Sequence, residues 1–465
     1  MKPLPLGLLA ESSGGELNSL AARRAQDLVT GFTVDSRSVS SGDLFVAIRG
    51  ERVDGRDFAA AAVADGAVAV MVAHEVPDLP CMVVPDPVVA FGRIAAWYRR
   101  EILTATVVGI TGSSGKTTTK DLIADVLEGD VVAAEGSFNT EVGVPLTIME
   151  ADEDTEFLVL EMGMRGLGHI AYLADLARPE IGVVLNVGSA HLGMMKGPQD
   201  IALAKGELIE SLSHDGRAVL NADDPQVARM AERTAAKVLW FGGGESADVK
   251  AGNVTLDSAG RPSFDLSIPG EDPVRVCLQL HGEHFVESAL AAASVGYLCG
   301  MTAGTIARRL TAAVPRSRWR MEVTETEDGI TIISDAYNAN PESMRAAIKA
   351  LRSMAGERRS WAVLGEMREL GDHAQTAHDD IGRLAVRLDI SRLVCVGDAT
   401  KVMHLAASNE GSWGEESTWV PDADAAAELL EDQLRPGDIV LVKASRAVGL
   451  EVVAERLLQR HGRSA

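Results

Sequence analysis

At 465 residues with 46% hydrophobic composition, the chain is too long for one ordinary core, and a prior of about 150 residues per domain predicts three domains. Its 67 acidic residues outnumber 44 basic ones and give a net charge of -23, which disfavours nucleic acid and anionic membranes as general partners. Any anionic ligand must therefore be held by a local cluster of groups.

The four cysteines are scattered without a Cys-x-x-Cys pair, which argues against a zinc knuckle and a disulfide framework. We expect buried thiols in a reducing compartment. They are Cys81, Cys277, Cys299 and Cys395.

The Leu-rich N-terminus carries only Lys2 ahead of its apolar patch and is a poor match to a signal peptide. No apolar run approaches the ~20 residues that span a bilayer, so we expect a cytoplasmic protein without membrane insertion.

Residues 1–103 predict a small N-terminal α/β domain. Short strand-like runs at 44–48 and 67–72 flank an Ala-rich helical stretch at 58–64. Alternation of the two patterns over so short a distance is typical of a compact α/β unit.

Residues 104–315 predict a central domain built on a mostly parallel sheet, because strand patterns alternate with helical patterns as in βαβ units. Strands are expected at 107–110, 157–162, 181–187 and 218–221, and helices at 117–127, 169–176, 201–212, 288–298 and 305–313. The turn-rich segment 249–280 interrupts this rhythm and predicts a small antiparallel extension.

Residues 316–465 predict a third, Rossmann-like domain with a doubly wound sheet. Its strands are expected at 330–334, 361–364, 393–396 and 439–442, with helices between them. The predicted fold class is therefore α/β with three domains, of which the central one has a mostly parallel sheet.

The central domain opens with a phosphate-binding signature. An apolar strand runs into a glycine-rich turn that ends in Lys-Thr and leads into a helix, the order that a nucleotide triphosphate site requires. The predicted phosphate-binding residues are Gly112, Ser113, Ser114, Gly115, Lys116, Thr117 and Thr118. Ile110 stands where the strict pattern has glycine, so the match is to a Thr-Gly-x-x-Gly-Lys-Thr variant. A glycine-rich turn with a surface lysine is the plain alternative.

Three later residues of the central domain are candidate metal or catalytic groups. Glu161 ends an apolar strand, where open α/β sheets bind ligands, and a hard cation would accept its carboxylate. His191 follows the next strand and is a candidate second metal ligand, although a histidine in this place is more often structural. Lys205 lies in an otherwise apolar helix and, taken alone, is typical of a solvated lysine.

Polar clusters also follow the strands of the third domain, at 335–341, 365–371 and 443–446. An acid, a phenol and two amides occur within one turn at Asp335, Tyr337, Asn338 and Asn340, although Asn-x-Asn-Pro is also ordinary turn chemistry. If the two sheet edges face each other, a nucleotide held by one can react with a substrate held by the other.

Taken together, these motifs resemble the Mur ligase family over nearly the whole chain. Residues 35–47 and 54–58 resemble its UDP-binding module, and the P-loop, 137–147, 161–163, 190–191 and 204–207 match its ATPase core in order. Residues 335–344 and 365–371 resemble the member that adds a D-alanyl-D-alanine dipeptide.

The resemblance implies an ATP-dependent, Mg²⁺-dependent ligase that joins D-alanyl-D-alanine to UDP-N-acetylmuramoyl-tripeptide in peptidoglycan synthesis. In this mechanism ATP phosphorylates the peptide carboxylate and the dipeptide amine displaces phosphate.

The resemblance also implies a monomer and a set of residue roles. It places Lys116, His191 and Lys205 in catalysis, with Lys205 carbamylated. Metal ligation falls to Thr117, Glu161, His191 and Lys205. Further ATP contacts fall to His284, Ser288, Arg320 and Asp335, and substrate contacts to Ser36, Arg37, Asn139, Thr140, Tyr337, Asn338 and Asn340.

The chain also departs from the family pattern. Phe285 and Ser288 replace two asparagines of the adenine-side helix, and Ser288 lacks the paired donor and acceptor of an amide. Arg56 replaces a histidine, and Thr140 replaces an asparagine. Residues 194–196 differ after Ala-His, and Ala444 stands where glycine is expected. These changes leave open a diverged amide ligase with another amine or carboxylate substrate. A nucleotide-binding scaffold without catalysis is a separate alternative, against which the intact Lys116, Thr117, Glu161, His191 and Lys205 argue.

Overall fold

The computed structural model describes residues 1–50, 53–134, 136–189, 193, 197–411 and 416–462. Three sheets succeed one another along the chain, with five, nine and six strands, and a two-stranded ribbon lies near the N-terminus. The α/β class and the three-domain architecture are confirmed.

The first sheet is mostly parallel, with strand order β2-β7-β6-β5-β4 and an antiparallel β2 at one edge. The strands of this region are β1 (Leu4–Pro5), β2 (Glu16–Leu17), β3 (Leu28–Val29), β4 (Gly31–Thr33), β5 (Asp43–Val46), β6 (Ala69–Val72) and β7 (Cys81–Val83). Its helices are α1 (Leu6–Ser13), α2 (Ser19–Ala22), α3 (Ala59–Ala64) and α4 (Pro87–Glu101). The ribbon pairs β1 with β3.

The second sheet has the order β16-β15-β14-β13-β12-β11-β8-β10-β9 and is parallel from β14 to β9. Its strands are β8 (Thr106–Thr111), β9 (Val131–Ala133), β10 (Phe157–Glu161), β11 (Ile181–Val184), β12 (Arg217–Asn221), β13 (Lys237–Gly242), β14 (Val249–Leu256), β15 (Pro262–Ser267) and β16 (Val274–Cys277). Because β14, β15 and β16 pair antiparallel, the predicted antiparallel extension is confirmed; it continues the main sheet.

Helices cover this sheet on both faces. They are α5 (Lys116–Val126), α6 (Gly143–Glu150), α7 (His169–Ala177), α8 (Pro198–Glu210), α9 (Pro225–Ala228), α10 (Phe285–Leu298) and α11 (Ala303–Ala312). The helix expected from residue 288 begins earlier, at Phe285, so Glu287 lies in its first turn.

The third sheet has the order β17-β18-β22-β19-β20-β21, parallel except for β17. Its strands are β17 (Glu322–Glu325), β18 (Thr331–Ser334), β19 (Ser360–Leu364), β20 (Arg392–Val396), β21 (Ser417–Val420) and β22 (Ile439–Lys443). Its helices are α12 (Pro341–Ala355), α13 (Ala374–Arg387), α14 (Lys401–Glu410), α15 (Ala423–Gln433) and α16 (Glu451–His461). Across the described ranges, no helix is both long and apolar enough to cross a membrane.

The central strands are buried on both faces, which explains their continuous apolar sequence. In β8, Val107, Val108 and Ile110 are fully buried. A side chain at Gly109 would meet Leu208 and Met162, so glycine lets α8 approach the strand closely. One apolar cluster joins the N-terminal region to the central sheet, and another joins the central sheet to the third domain.

The four cysteines differ in exposure. Cys81 and Cys395 are buried, as expected. The expectation of a buried thiol is wrong for Cys277, which is exposed at the end of the outer strand β16. It is also wrong for Cys299, which is partly exposed just after α10. Both lie where an element ends at the surface, so an apolar sequence pattern did not imply burial there.

The third domain contains a buried carboxylate, Asp438, that joins the loop before β22 to the start of β19. Asp438 accepts two hydrogen bonds from the Arg359 guanidinium at 3.0 and 2.6 Å. It also accepts from Trp361 Nε1 at 3.1 Å and from the Arg435 backbone N–H at 3.0 Å. Removal of its charge would leave a partly buried guanidinium without its counter-ion.

We therefore expect Asp438→Asn to cost about 3 kcal/mol of stability in this domain, because charge-assisted bonds to a buried group are lost. The melting temperature of the transition that includes this domain should fall by roughly 6–12 °C in calorimetry. Asp398→Asn, at an exposed acid of the same domain, is the matched control. Equal melting temperatures for Asp438→Asn and the control would contradict the stabilising role of the Asp438 carboxylate.

Candidate active site

A cavity of about 890 Å³ lies between the carboxyl edge of the second sheet and the strand ends of the third. Residues of both domains line it, as the predicted facing of two sheet edges requires. The predicted site residues on its wall are Ser113, Ser114, Gly115, Lys116, Thr117, Thr118, Asn139, Thr140, Glu161, His284, Ser288, Arg320, Asp335, Tyr337, Asn338 and Asn340.

The P-loop connects β8 to α5. Gly115 has φ of +80° immediately before the helix, a conformation that favours glycine. Lys116 Nζ donates to the carbonyl of Gly112 at 2.9 Å, which curls the lysine back over the loop. Burial lowers the pKa of Lys116, and the nearby Arg320 lowers it further, whereas Glu161 raises it. An anion bound here would hold the lysine in its charged form.

Two oxygen-bearing side chains meet beside Lys116. Thr117 Oγ1 donates to Glu161 Oε2 at 2.7 Å, and Asn139 Nδ2 donates to Glu161 Oε1 at 2.7 Å. Thr117 and Glu161 are each 1% exposed. Within the described ranges, no group of three or more His, Cys, Asp and Glu side chains is placed to hold a metal. The donors fit a hard cation that takes its other ligands from phosphate and water, as Mg²⁺ does.

Lys205 is 2% exposed, so the interpretation of it as a solvated lysine is wrong. Burial lowers its pKa well below the ordinary lysine value, and the charge of Lys116 lowers it further. The residues that follow have structural roles. A side chain at Gly206 would collide with the Arg233 guanidinium, and the Glu207 carboxylate accepts from the Gly168 and Ala171 N–H groups at 2.6 and 3.0 Å at the start of α7.

His191 lies outside the described residues, but the chain on either side of it contacts the third domain. Ser189 donates from its N–H to Glu342 Oε1 at 3.0 Å and from its hydroxyl to the same atom at 2.9 Å. The Gly193 N–H donates to the carbonyl of Glu369 at 2.8 Å. A side chain at Gly193 would collide with the backbone of Gly371, so glycine permits this approach.

The third domain contributes a cluster of its own around the end of β18. Lys443 Nζ donates to Asp335 Oδ2 at 2.7 Å and to the carbonyl of Asn338 at 2.8 Å, and Lys443 is 2% exposed. This buried ion pair fixes the Asp335 carboxylate at the cavity wall. The Arg320 guanidinium lies 4.1 Å from the centre of the Tyr337 ring, and its buried Nε has no hydrogen-bond partner among the described residues.

Two further contacts join this cluster to the central domain. Asn340 Nδ2 donates to the carbonyl of Ser113 in the P-loop at 3.3 Å. The Tyr337 hydroxyl and the Ser137 hydroxyl form a hydrogen bond. A phosphate group on the P-loop would therefore share one cavity with the cationic and phenolic groups of the third domain.

Four of the described site residues predicted from the sequence lie off the cavity wall. Gly112 presents its carbonyl to Lys116, and Lys205 is buried within α8. Ser36 and Arg37 belong to a short 3₁₀ helix of the first domain. Arg37 forms a two-point contact with Asp35, at 2.9 and 2.6 Å, and this contact lowers the pKa of Asp35 to about 2.

The cavity wall also includes polar residues that are absent from the predicted set, among them Asn186, Glu287, Glu342 and Lys443. Lys443 ends the final strand, in a polar cluster that the sequence indicates without assigning it a role. Glu287 adjoins the predicted Ser288, and Glu342 lies two residues after the predicted Asn340. Polar residues at or just after strand ends and in first helical turns are the signal that points to them.

Comparison with family models gives three matches along the chain. The description "Mur ligase family, catalytic domain" matches residues 28–114. "Mur ligase middle domain" matches residues 110–296, and "Mur ligase, glutamate ligase domain" matches residues 319–446.

Individual relatives are similar over the full length. A UDP-N-acetylmuramoyl-tripeptide–D-alanyl-D-alanine ligase of Mycobacterium tuberculosis H37Rv is 47% identical, with 98% of each chain covered. A crystal structure of MurF from Acinetobacter baumannii has a TM-score of 0.88, 28% identity and 99% coverage of both chains. The MurF ligase of Thermotoga maritima in complex with ADP has a TM-score of 0.80 and 29% identity, covering 95% of this chain and 100% of its own.

The contacts of Ser189 and Gly193 predict how the two domains hold each other. We expect Glu342→Ala to raise amide hydrogen exchange at Ser189 about tenfold, because the loss of one charged acceptor is worth roughly 1.4 kcal/mol. Exchange mass spectrometry over peptides that contain Ser189 measures it. Glu357→Ala, an exposed acid after α12, is the control. Unchanged protection in Glu342→Ala would mean that the contact does not restrain the loop.

Proposed function

This chain belongs to the Mur ligase family, and we propose that its cavity joins D-alanyl-D-alanine to UDP-N-acetylmuramoyl-tripeptide at the expense of ATP. The product is the UDP-muramoyl-pentapeptide of peptidoglycan synthesis. The observation that carries the proposal is a single cavity lined by the P-loop on one side and by the Asp335–Asn340 turn on the other. A nucleotide and a second substrate can thus meet within it.

Amide formation from a carboxylate requires activation, because an amine does not displace oxide. The terminal carboxylate of the tripeptide attacks the γ-phosphorus of ATP and ADP leaves, which gives an acyl phosphate. The dipeptide amine then attacks the carbonyl carbon, and phosphate departs with one former carboxylate oxygen. The cavity walls have to exclude water until the amine attacks, since water would also cleave the acyl phosphate.

Groups around the P-loop support phosphoryl transfer. Lys116 and Arg320 approach from opposite domains and offset the charge of the transferring phosphoryl group. Thr117 and Glu161 are the described residues that would hold Mg²⁺, which supplies charge neutralisation on the phosphates when bound. His191 is the proposed second-metal ligand. The remainder of the nucleotide side is lined by His284, Ser288 and Asp335.

The substrate contacts divide between the domains. Ser36 and Arg37 of the first domain are proposed to bind the UDP moiety. Asn139 and Thr140 lie on the central wall of the cavity, where the tripeptide carboxylate has to enter. The opposite wall supplies a phenol and two amides, which suits a small zwitterionic dipeptide; they belong to Tyr337, Asn338 and Asn340.

Lys205 is proposed to act as a carbamate. Its low pKa leaves a neutral amine, which can attack CO₂ and release one proton to form an N-carboxylate. The change would replace a buried neutral amine by an anion near Lys116. Charge balance near Thr117 and Glu161 would then favour cation binding.

The proposed division of the chain is 1–103 for UDP-substrate binding, 104–315 for ATP binding and 316–465 for the Rossmann-like domain. Three successive sheets and three successive family matches support it. We place the enzyme in the cytoplasm, because ATP and UDP-linked precursors are cytoplasmic substrates. The monomer stays a prediction.

The test measures the phosphate released from ATP in the presence of Mg²⁺, UDP-N-acetylmuramoyl-tripeptide and D-alanyl-D-alanine. Mass spectrometry then identifies the product. Phosphate release should require both substrates, and its rate in the Lys116→Ala variant should fall to background. Turnover with another amine but none with the dipeptide would favour the diverged ligase that Phe285 and Ser288 leave open. Bound ATP that is never cleaved would favour the scaffold.

The carbamate predicts chemical rescue. Lys205→Ala should lower turnover by about 10–100-fold, the usual range for groups that support a metal site. Acetate or formate should restore part of the activity, because a small carboxylate can occupy the vacated space. Lys205→Met, which fills that space, should not respond to either acid. Rescue of neither variant, or of both, would contradict the carbamate.

A further inference from the structure

Asn186 connects the end of β11 to the P-loop. Its side-chain oxygen Oδ1 accepts from the N–H groups of Ser113 and Ser114, each at 3.0 Å. Its backbone carbonyl also accepts from the Ser113 N–H at 3.1 Å. One amide side chain therefore holds two consecutive residues of the loop that has to receive the phosphates.

Glu287 lies in the first turn of α10 and contacts the other end of this amide. Its Oε1 accepts from Asn186 Nδ2 at 2.8 Å. An amide group is nearly symmetric in shape, but an ionised carboxylate only accepts hydrogen bonds. Asn186 Nδ2 also donates to the carbonyl of Ser114 at the longer distance of 3.4 Å. Glu287, the shorter of the two contacts, thus directs the NH₂ of Asn186 toward itself and leaves the oxygen facing the Ser113 and Ser114 N–H groups.

We propose that Glu287 is a positioning residue for the ligase reaction, which orients the Asn186 amide and through it the P-loop backbone for nucleotide binding. The inference rests on the proposed function for its role in catalysis, but nucleotide binding tests it separately. If the Asn186 amide rotates, the Ser114 N–H loses this acceptor, the Ser113 N–H keeps only the Asn186 backbone carbonyl, and both N–H groups face the NH₂ hydrogens. The loop then has to shift, and its fit to phosphate weakens.

The charge of Glu287 is costly where it lies. Asp223 and Asp224 face it from the segment between β12 and α9, and Asn186 is its hydrogen-bond donor. Loss of solvation, with a smaller contribution from the two aspartates, raises the pKa of Glu287 to about 7, against 4.5 ordinarily. The Asn186 bond acts in the opposite direction.

The sign of this shift makes a stability prediction. A carboxyl with a raised pKa in the folded state binds protons more readily folded than unfolded. Stability therefore falls as the pH rises from about 4.5 to about 7 and stays reduced above it. Glutamine in place of Glu287 would avoid this loss of folding stability at high pH. The charge of Glu287 therefore does not stabilise the fold, and we assign it to the orientation of the P-loop.

Glu287→Gln is the isosteric test, because glutamine can present either a donor or an acceptor to Asn186. Binding of Mg²⁺-ADP is measured by calorimetry between pH 6 and 9, without the other substrates. Wild type should bind several-fold more weakly as the pH falls through about 7. Glu287→Gln should be about fivefold weaker than wild type at pH 8, and the difference between the two should shrink to less than about twofold at pH 6. Its melting temperature at pH 8 should equal or exceed that of wild type.

A double-mutant cycle tests the route through Asn186. If Glu287 acts through that amide, Glu287→Gln should have no further effect on Mg²⁺-ADP affinity in an Asn186→Ala background. Glu283→Gln, at an exposed glutamate just before α10, is the matched control and should bind as wild type. Additive effects of the two substitutions would overturn the proposal.

Identical affinities of wild type and Glu287→Gln at every pH would also overturn it. Failure of the proposed role of Glu287 is distinguishable from failure of the proposed function. A wild-type enzyme that binds Mg²⁺-ADP with the predicted pH profile but forms no pentapeptide would refute the ligase assignment and leave the role of Glu287 in nucleotide binding supported.

Discussion

The contact between the P-loop region and the third domain is the constraint on which the site depends. Asn340 reaches the carbonyl of Ser113, and Glu342 binds the N–H and hydroxyl of Ser189. These bonds run from the start of one helix to two loops of another domain. Together with the Gly193–Glu369 and Ser137–Tyr337 hydrogen bonds and the shared apolar cluster, they join two sheet edges into one cavity for a reaction that needs both.

Charged groups with little access to water concentrate along that contact. Lys443 and Asp335 form a buried pair, Lys205 is buried within an apolar helix, and Glu287 faces two aspartates. Each of these placements costs solvation energy that an apolar residue would avoid. Lys443, Asp335 and Glu287 line one cavity from strand ends and a helix start, and this placement links the cost to chemistry, since perturbed ionisable groups gather where charge has to move.

The parts of the fold that the sequence predicts are those with a local pattern. The β8 strand, the P-loop and the start of α5 follow from adjacent residues, and the antiparallel strands follow from alternation and turns. Asn186 and Glu287 are 101 residues apart, and Lys443 and Asp335 are 108 apart, so no local pattern pairs them. The burial of Lys205 escapes the sequence for the same reason, because the elements that bury it come from distant sequence. The family resemblance alone points to Ser36 and Arg37, and their UDP-binding role stays a prediction.

The central claim is that a carboxylate meets the γ-phosphate of ATP in the cavity between the two domains. It is tested most directly with UDP-tripeptide whose terminal carboxylate carries ¹⁸O on both oxygens. The account predicts that each amide bond formed releases phosphate with a single ¹⁸O atom, which mass spectrometry detects. Unlabelled phosphate released together with the amide product would mean that the carboxylate is never phosphorylated, and would contradict the account.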